Sequence, residues 1–145
     1  MDIKRHIFYS LPFGGAIFLA TGDPIASGLC SMSSVLIDAD HVLDYAVQKR
    51  GIGSYADMSE CFLSNDKLEK FYVVLHSWEF IIVSMIYFFQ VRLIFPILLG
   101  FAFHLACDQY YNVSHLGRLR VKPFFYFIFF RVWHRCSVVR LRQML

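Results

Sequence analysis

The chain has 145 residues, enough for one domain, and it is 57% hydrophobic and 18% aromatic, with a mean hydropathy of +0.50. Surface-to-volume scaling leaves a small soluble domain unable to hide that much apolar surface, so the composition predicts a membrane protein. A formal charge of +3, scattered beside the apolar runs, excludes a nucleic-acid binder. Cys30, Cys61, Cys107 and Cys136 form no CxxC pair. They read as reduced thiols, not as a zinc module or a disulfide framework.

Four apolar stretches are expected to be helices. The first covers residues 7–21 and ends at the Gly22-Asp23-Pro24 turn, where glycine and proline punctuate the chain. Lys4 and Arg5 ahead of it and Ala20-Thr21-Gly22 at its end outline a cleavable leader. A retained helix agrees better with the charge pattern. It is short and holds Pro12 and two glycines, so a kink or a partial span is expected.

The second stretch covers residues 25–45 and turns acidic in its last two turns. A charged, polar loop follows over residues 48–70, with Asp57, Glu60, Asp66 and Glu69 read as solvated and Ser64 to Asp66 as a helix N-cap signal. The third stretch covers 71–91 and the fourth 93–111. About 20 apolar residues cross the hydrocarbon core, so an all-α integral membrane bundle of about four transmembrane helices is predicted. The tail, 112–145, is basic and aromatic. Pro123 to Trp133 is too short to span, and a C-terminal amphipathic helix lying in the interface is expected.

Basic residues alternate along the chain. Lys4 and Arg5 lie before the first helix, none in the first turn, four in the 48–70 loop, Arg92 before the fourth helix, then Arg118, Arg120 and Lys122. The positive-inside rule then predicts an inner-membrane protein with both termini and the long loop cytoplasmic.

Ionisable groups inside apolar helices are expensive and usually functional. Here they are His6; Asp38, Asp40, His41 and Asp44; His76 and Glu79; and His104 and Asp108. Helical spacing pairs Asp40 with Asp44, Asp38 with His41, His76 with Glu79, and His104 with Asp108. In the predicted topology all of them fall at the cytoplasmic ends of their helices. Imidazole with carboxylate suits a divalent metal, with zinc the first expectation and manganese or iron the alternatives, and a centre of one or two ions is expected because the candidates outnumber one tetrahedral shell. The expected ligands are His6, Asp40, His41, Asp44, His76, His104 and Asp108. Asp38 or Glu79 is the expected general base. Ser77 reads as a hydrogen-bonding neighbour, and His115 and His134 lie outside the set.

These residues carry a resemblance. Asp38-Ala39-Asp40-His41, then His76-Ser77, then Gly100 with His104-Leu105-Ala106-Cys107-Asp108 resemble the membrane-bound metal-dependent hydrolase family of bacterial and archaeal membranes. His6 extends the pattern, which covers most of the chain. The family's His-Arg-Gly-x-x-His-Ser stretch is reduced here to His76-Ser77. The resemblance implies metal binding first, and then hydrolysis of a lipid-linked ester or phosphoester, on a phospholipid or polyprenyl phosphate in the bilayer. Arg118, Arg120, Lys122 and Arg131 could attract its anionic head group. The alternatives are a metal-stabilised scaffold or binding protein and a small transporter. Polar groups gathered at one depth argue against the transporter.

Overall fold

The computed structural model describes residues 3–51, 53–54, 56–58, 61, 69–114 and 121–142. The Ser64 to Asp66 cap, Glu60, Arg118, Arg120 and His115 lie outside them. The described elements are helical: α1 (Ile3–Thr21), α2 (Pro24–Leu36), α3 (Ala39–Lys49), α4 (Trp78–Phe88), α5 (Ile94–Val113), a 3-10 turn (Pro123–Tyr126), α6 (Ile128–Trp133) and α7 (Val138–Arg142).

The all-α expectation holds and the membrane-spanning one does not. Among the described residues, no helix is long and apolar enough to cross a membrane. The expected second span is interrupted by a turn at residues 37–38, which leaves helices of 13 and 11 residues. The expected third span shrinks to the 11 residues of α4, because residues 71–77 are not helical. At about 1.5 Å per residue such a helix reaches about 17 Å, roughly half of the hydrocarbon core. α1 and α5 are longer, but α1 includes Lys4, Arg5 and His6, and α5 includes His104, Asp108, Gln109 and Asn112. The predicted transmembrane bundle, its inner-membrane placement and the cytoplasmic assignment of its termini are therefore withdrawn. The apolar surplus lies outside, with Phe8, Leu11, Leu19, Val47, Ile86 and Tyr87 exposed.

The C-terminal segment also departs from expectation. It forms the 3-10 turn and two short helices, and it packs inward. Phe125, Tyr126, Val138 and Leu141 join Tyr45, Phe71, Ile81 and Leu105 in one buried cluster. Arg131, expected to face lipid head groups, is 1% exposed.

α2 is the central element. Asp23 caps it by accepting from the Ile25 and Ala26 amides, and Pro24 occupies its first turn, where the missing N–H costs nothing. Gly22 precedes the cap at φ +66°, a left-handed conformation that glycine adopts without strain. The Ser27 hydroxyl donates to the Gly14 carbonyl of α1 at 2.7 Å. On its other side α2 meets α5 at Gly100, where an added Cβ would lie 2.1 Å from Ser33 Oγ and 2.3 Å from the Cys30 carbonyl oxygen. The Arg92–Asp23 ion pair (3.1 Å) and the His104–Ser34 contact flank that crossing. α5 therefore runs parallel to α2, while α1 runs antiparallel to it. This brings the start of α1, the end of α2 and the C-terminal half of α5 to one end of the molecule.

The Gly100 crossing makes a stability prediction. Gly100→Ala should destabilise the protein by about 1–3 kcal/mol, the range for overpacking a close contact. Gly15→Ala, with nothing within 4 Å of its added Cβ, should leave stability unchanged or raise it by up to about 1 kcal/mol. Chemical denaturation of both variants checks the pair.

Candidate metal centre

The site is built on an extended segment that has no sheet. Residues 69–77 run past α3 without regular structure, and their backbone amides need acceptors. α3 supplies them from one face at four-residue spacing. Gln48 accepts from the Lys70 amide (3.3 Å) and donates to the Lys70 carbonyl (2.8 Å). Asp44 accepts from the Tyr72 amide (3.0 Å) and, with its other oxygen, from Gln48 (2.8 Å). Asp40 accepts from the Leu75 amide (3.0 Å).

The C-terminal segment holds the opposite edge. The Phe71 amide donates to the Cys136 carbonyl (2.8 Å), and the Val138 amide donates to that of Glu69 (3.1 Å). The Arg131 guanidinium donates to the carbonyls of Val73 (3.0 Å) and His76 (3.2 Å). His76 is thus fixed at the end of a braced segment, not on a helix as expected.

Both ring nitrogens of His76 then face carboxylates. Nδ1 lies 2.9 Å from Asp40 Oδ1, and Nε2 lies 3.4 Å from Asp38 Oδ1. Asp38 precedes α3, but its side chain makes no cap hydrogen bond, which leaves its carboxylate for the histidines. From α5, His104 Nδ1 contacts the Ser34 carbonyl at 2.6 Å. A carbonyl only accepts, so Nδ1 carries the proton and Nε2 the lone pair. His104 Nε2 lies 3.2 Å from His76 Nε2 and 3.4 Å from Asp38 Oδ1. These three donor atoms form a nearly equilateral triangle. Four donors at about 2.0–2.1 Å from a zinc ion would stand about 3.3–3.4 Å from one another. The triangle has the dimensions of one face of that tetrahedron.

Further donors surround it. His6 stacks on His104 with ring centroids 4.0 Å apart, and its Nε2 lies 3.3 Å from Asp108 Oδ1. Asp108 Oδ2 lies 3.7 Å from His104 Nε2. His41 Nε2 lies 3.9 Å from Asp38 Oδ1. Two groups, His6–His104–Asp108 and Asp38–His41–His76, could each hold a metal ion, because their ligand atoms lie within 4.8 Å of one another. The first group is buried, whereas the side chains of Asp38 and His41 keep 25% and 28% of their exposure. Beside the stacked rings, the space between His6, Tyr9, Ser34, Phe103, His104 and Cys107 has no room for a water molecule.

Charge follows the same geometry. Burial pushes the Asp38, Asp40 and Asp108 carboxyls up, but their histidine contacts outweigh it and hold all three below the ordinary carboxylate range, Asp108 well below. Burial pulls His76 down, yet Asp38 and Asp40 raise it to about 9. His41 is held down to about 4 by burial and by His76. Burial likewise lowers His104, against the opposing pull of Asp108 and Asp38. The chain on its own therefore places a proton on His76, where a cation is favoured.

The structure brings His6, Asp38, Asp40, His41, His76, His104 and Asp108 to one end, with Asp40 behind His76. The remaining assignments fare differently. Asp44, expected as a ligand, is committed to the Tyr72 amide and Gln48. Glu79, expected as a base, accepts from the Ile128 and Phe129 amides (2.9 and 3.1 Å) and so caps α6. Ser77 caps α4 and donates to the Val74 carbonyl. His134 stays outside the set and packs on Phe130. Sequence reasoning missed Arg131. The signal was available, since a lone cation inside the run Phe124 to Trp133 is the kind of residue that seldom faces an apolar phase without a partner. Set beside protein-family models, curated proteins and solved structures, the chain matches none.

The raised His76 sets a pH dependence for the metal-free protein. A group raised on folding stabilises fully below its unfolded value and loses that contribution as pH rises through its folded value. The window runs from the ordinary histidine value of 6.5 to about 9. The lowered carboxyls act below it, and His41 and His104, lowered from 6.5, act at its acid edge and beneath it. The melting temperature of chelator-treated protein should fall between pH 6.5 and 9, and His76→Gln should flatten that fall.

Proposed function

We propose that this chain is a metal-dependent hydrolase of an ester or phosphoester, with zinc as its first-choice cation and manganese or iron as alternatives. The supporting observation is the 3.2–3.4 Å triangle of His76 Nε2, His104 Nε2 and Asp38 Oδ1, with the Asp38 side chain partly exposed. Structural zinc sites are closed by four protein ligands, while catalytic ones keep a position for water or substrate. The partial exposure of Asp38 and His41 fits the second kind.

A cation held there would supply Lewis acidity toward a phosphoryl or acyl oxygen and would acidify water. The chain's own groups prepare for it. The Ser34 carbonyl holds the His104 ring through Nδ1, and Asp40 lies 2.9 Å from His76 Nδ1. This is the supporting shell that fixes tautomer and orientation in metal sites. Asp38 takes the role of ligand in place of base. His41 stands at the partly exposed side of the cluster, its ring centroid 4.4 Å from that of His76. The resemblance to the membrane-bound metal-dependent hydrolase family supports the same reading, on the residues from His6 to Asp108. The lipid-linked substrate expected from the sequence rested on a spanning topology. With that withdrawn, the proposal is confined to the bond cleaved, and phospholipids and polyprenyl phosphates become substrates to be assayed.

A second reading is favoured by one observation. His6, Asp38, His76 and His104 come from four separate parts of the chain, so a bound cation would also staple the fold without turnover.

The test measures metal content and hydrolysis together. Wild-type protein should carry a divalent metal and cleave aryl phosphates, aryl acetates or a phospholipid panel. Chelation should abolish the activity and metal return should restore it. Asp38→Asn and His104→Ala should lower metal content, and should reduce the rate by at least about tenfold, the lower range seen for disturbed metal sites. Metal without cleavage of any substrate would favour the staple, and wild-type protein without metal would defeat both readings.

A further inference from the structure

Six side chains around the triangle compete for one ion, and a single ion cannot use them. A tetrahedral centre takes four protein donors at most. His76, His104 and Asp38 would fill three places, and Asp108, with Oδ2 3.7 Å from His104 Nε2, would fill the fourth. His6 and His41 would then be spare. His6 is a poor spare residue. It is 4% exposed, and its Nε2 is buried without a hydrogen-bond partner while lying 3.3 Å from Asp108 Oδ1. A buried ring nitrogen left so is costly unless something meets it.

The donors separate naturally into two sets. His6, His104 and Asp108 are mutually within 4.8 Å, and so are Asp38, His41 and His76. Asp38 Oδ1 stands at the junction, 3.4 Å from the Nε2 atoms of both His76 and His104. A carboxylate placed evenly between two imidazoles, one from each set, is positioned to be shared.

We propose that the cluster is a two-metal centre, with one divalent cation held by His6, His104 and Asp108, a second by Asp38, His41 and His76, and the Asp38 carboxylate shared between them. This rests on the metal-centre reading above and narrows its substrate class. Paired cations about 3.5–4 Å apart suit in-line displacement at phosphorus, where both the entering and the leaving oxygen need charge stabilisation. A phosphoester is then the favoured substrate class, because both of its reacting oxygens gain a cation.

Two measurements on the full chain test it. The first is metal content after chelation, zinc return and desalting. Wild type should hold two equivalents per chain, and His6→Ala and His41→Ala should each hold one. The second is the electron paramagnetic resonance spectrum of manganese-loaded wild type, which needs no variant to fold. Two ions sharing a carboxylate should give a spin-coupled multiline signal, and both single variants should give the six-line signal of an isolated ion. One equivalent in wild type, unchanged in His6→Ala, overturns the pair and leaves the hydrolase reading standing. Two equivalents with only six-line signals place the ions apart and also overturn it. No bound metal overturns both.

Discussion

The contact between the acidic face of α3 and the backbone of residues 70–76 carries the rest of the architecture. An extended segment normally satisfies its amides in a sheet. Here Asp40, Asp44 and Gln48 stand in for the missing strand, one helical turn apart. Asp40 performs two tasks, because one oxygen accepts from Leu75 and the other lies against His76. Backbone placement and imidazole orientation are therefore set by a single side chain. Removing it would leave the half-buried Leu75 amide without its acceptor and release the ring that lies against His104. The first effect alone costs about 0.5–1.5 kcal/mol.

A concentration of acids and imidazoles such as this is unstable unless charges offset one another. Histidine contacts outweigh burial at Asp38, Asp40 and Asp108 and hold their carboxyls below the ordinary range. Arg131 adds a permanent positive charge from the C-terminal side. Its guanidinium donates to two carbonyls and lies 5.8 Å from the Phe125 ring centroid. A buried cation on carbonyl acceptors is an expensive arrangement. Its placement behind His76, with Asp40, Asp44 and Glu79 acting on it from a distance, makes it part of the same charge balance. The residues that hold the fold at this end and those that could hold a cation are one network.

Much of the candidate site was legible in the sequence, because ionisable residues within apolar runs are few and helical spacing sorts them by face. Register alone puts His104 and Asp108 on one face, whereas His6 was brought to them through the membrane topology that the structure overturns. The helical order along the chain was legible for α1 and α5, whose apolar runs coincide with their helices. Two features were not legible. Residues 71–77 continue the apolar run of α4 without a break in hydropathy, and they leave the helix only because α3 and the C-terminal segment offer them hydrogen bonds from a distance. The same remoteness hid the roles of Asp44 and Glu79. Each is spaced like a ligand or base, yet each caps backbone contributed by residues 28 or 49 positions away. Composition correctly signalled an apolar surplus, but it could not show that the helices carrying that surplus are too short to span a bilayer.

The bracing of His76 has a consequence for the order of assembly. Its segment depends on Asp40, 35 positions before Leu75, and on Arg131, 55 positions after His76. Contacts this distant form late, since the entropy of closing each loop must be met before the contact contributes. A chain emerging from the ribosome can pair α1 with α2 early and add α5 later. It cannot seat His76 until the residues around Arg131 have left the exit tunnel. The centre therefore matures as the last act of folding, and the newly made chain passes through a period in which its helices are packed but its imidazoles are still apart.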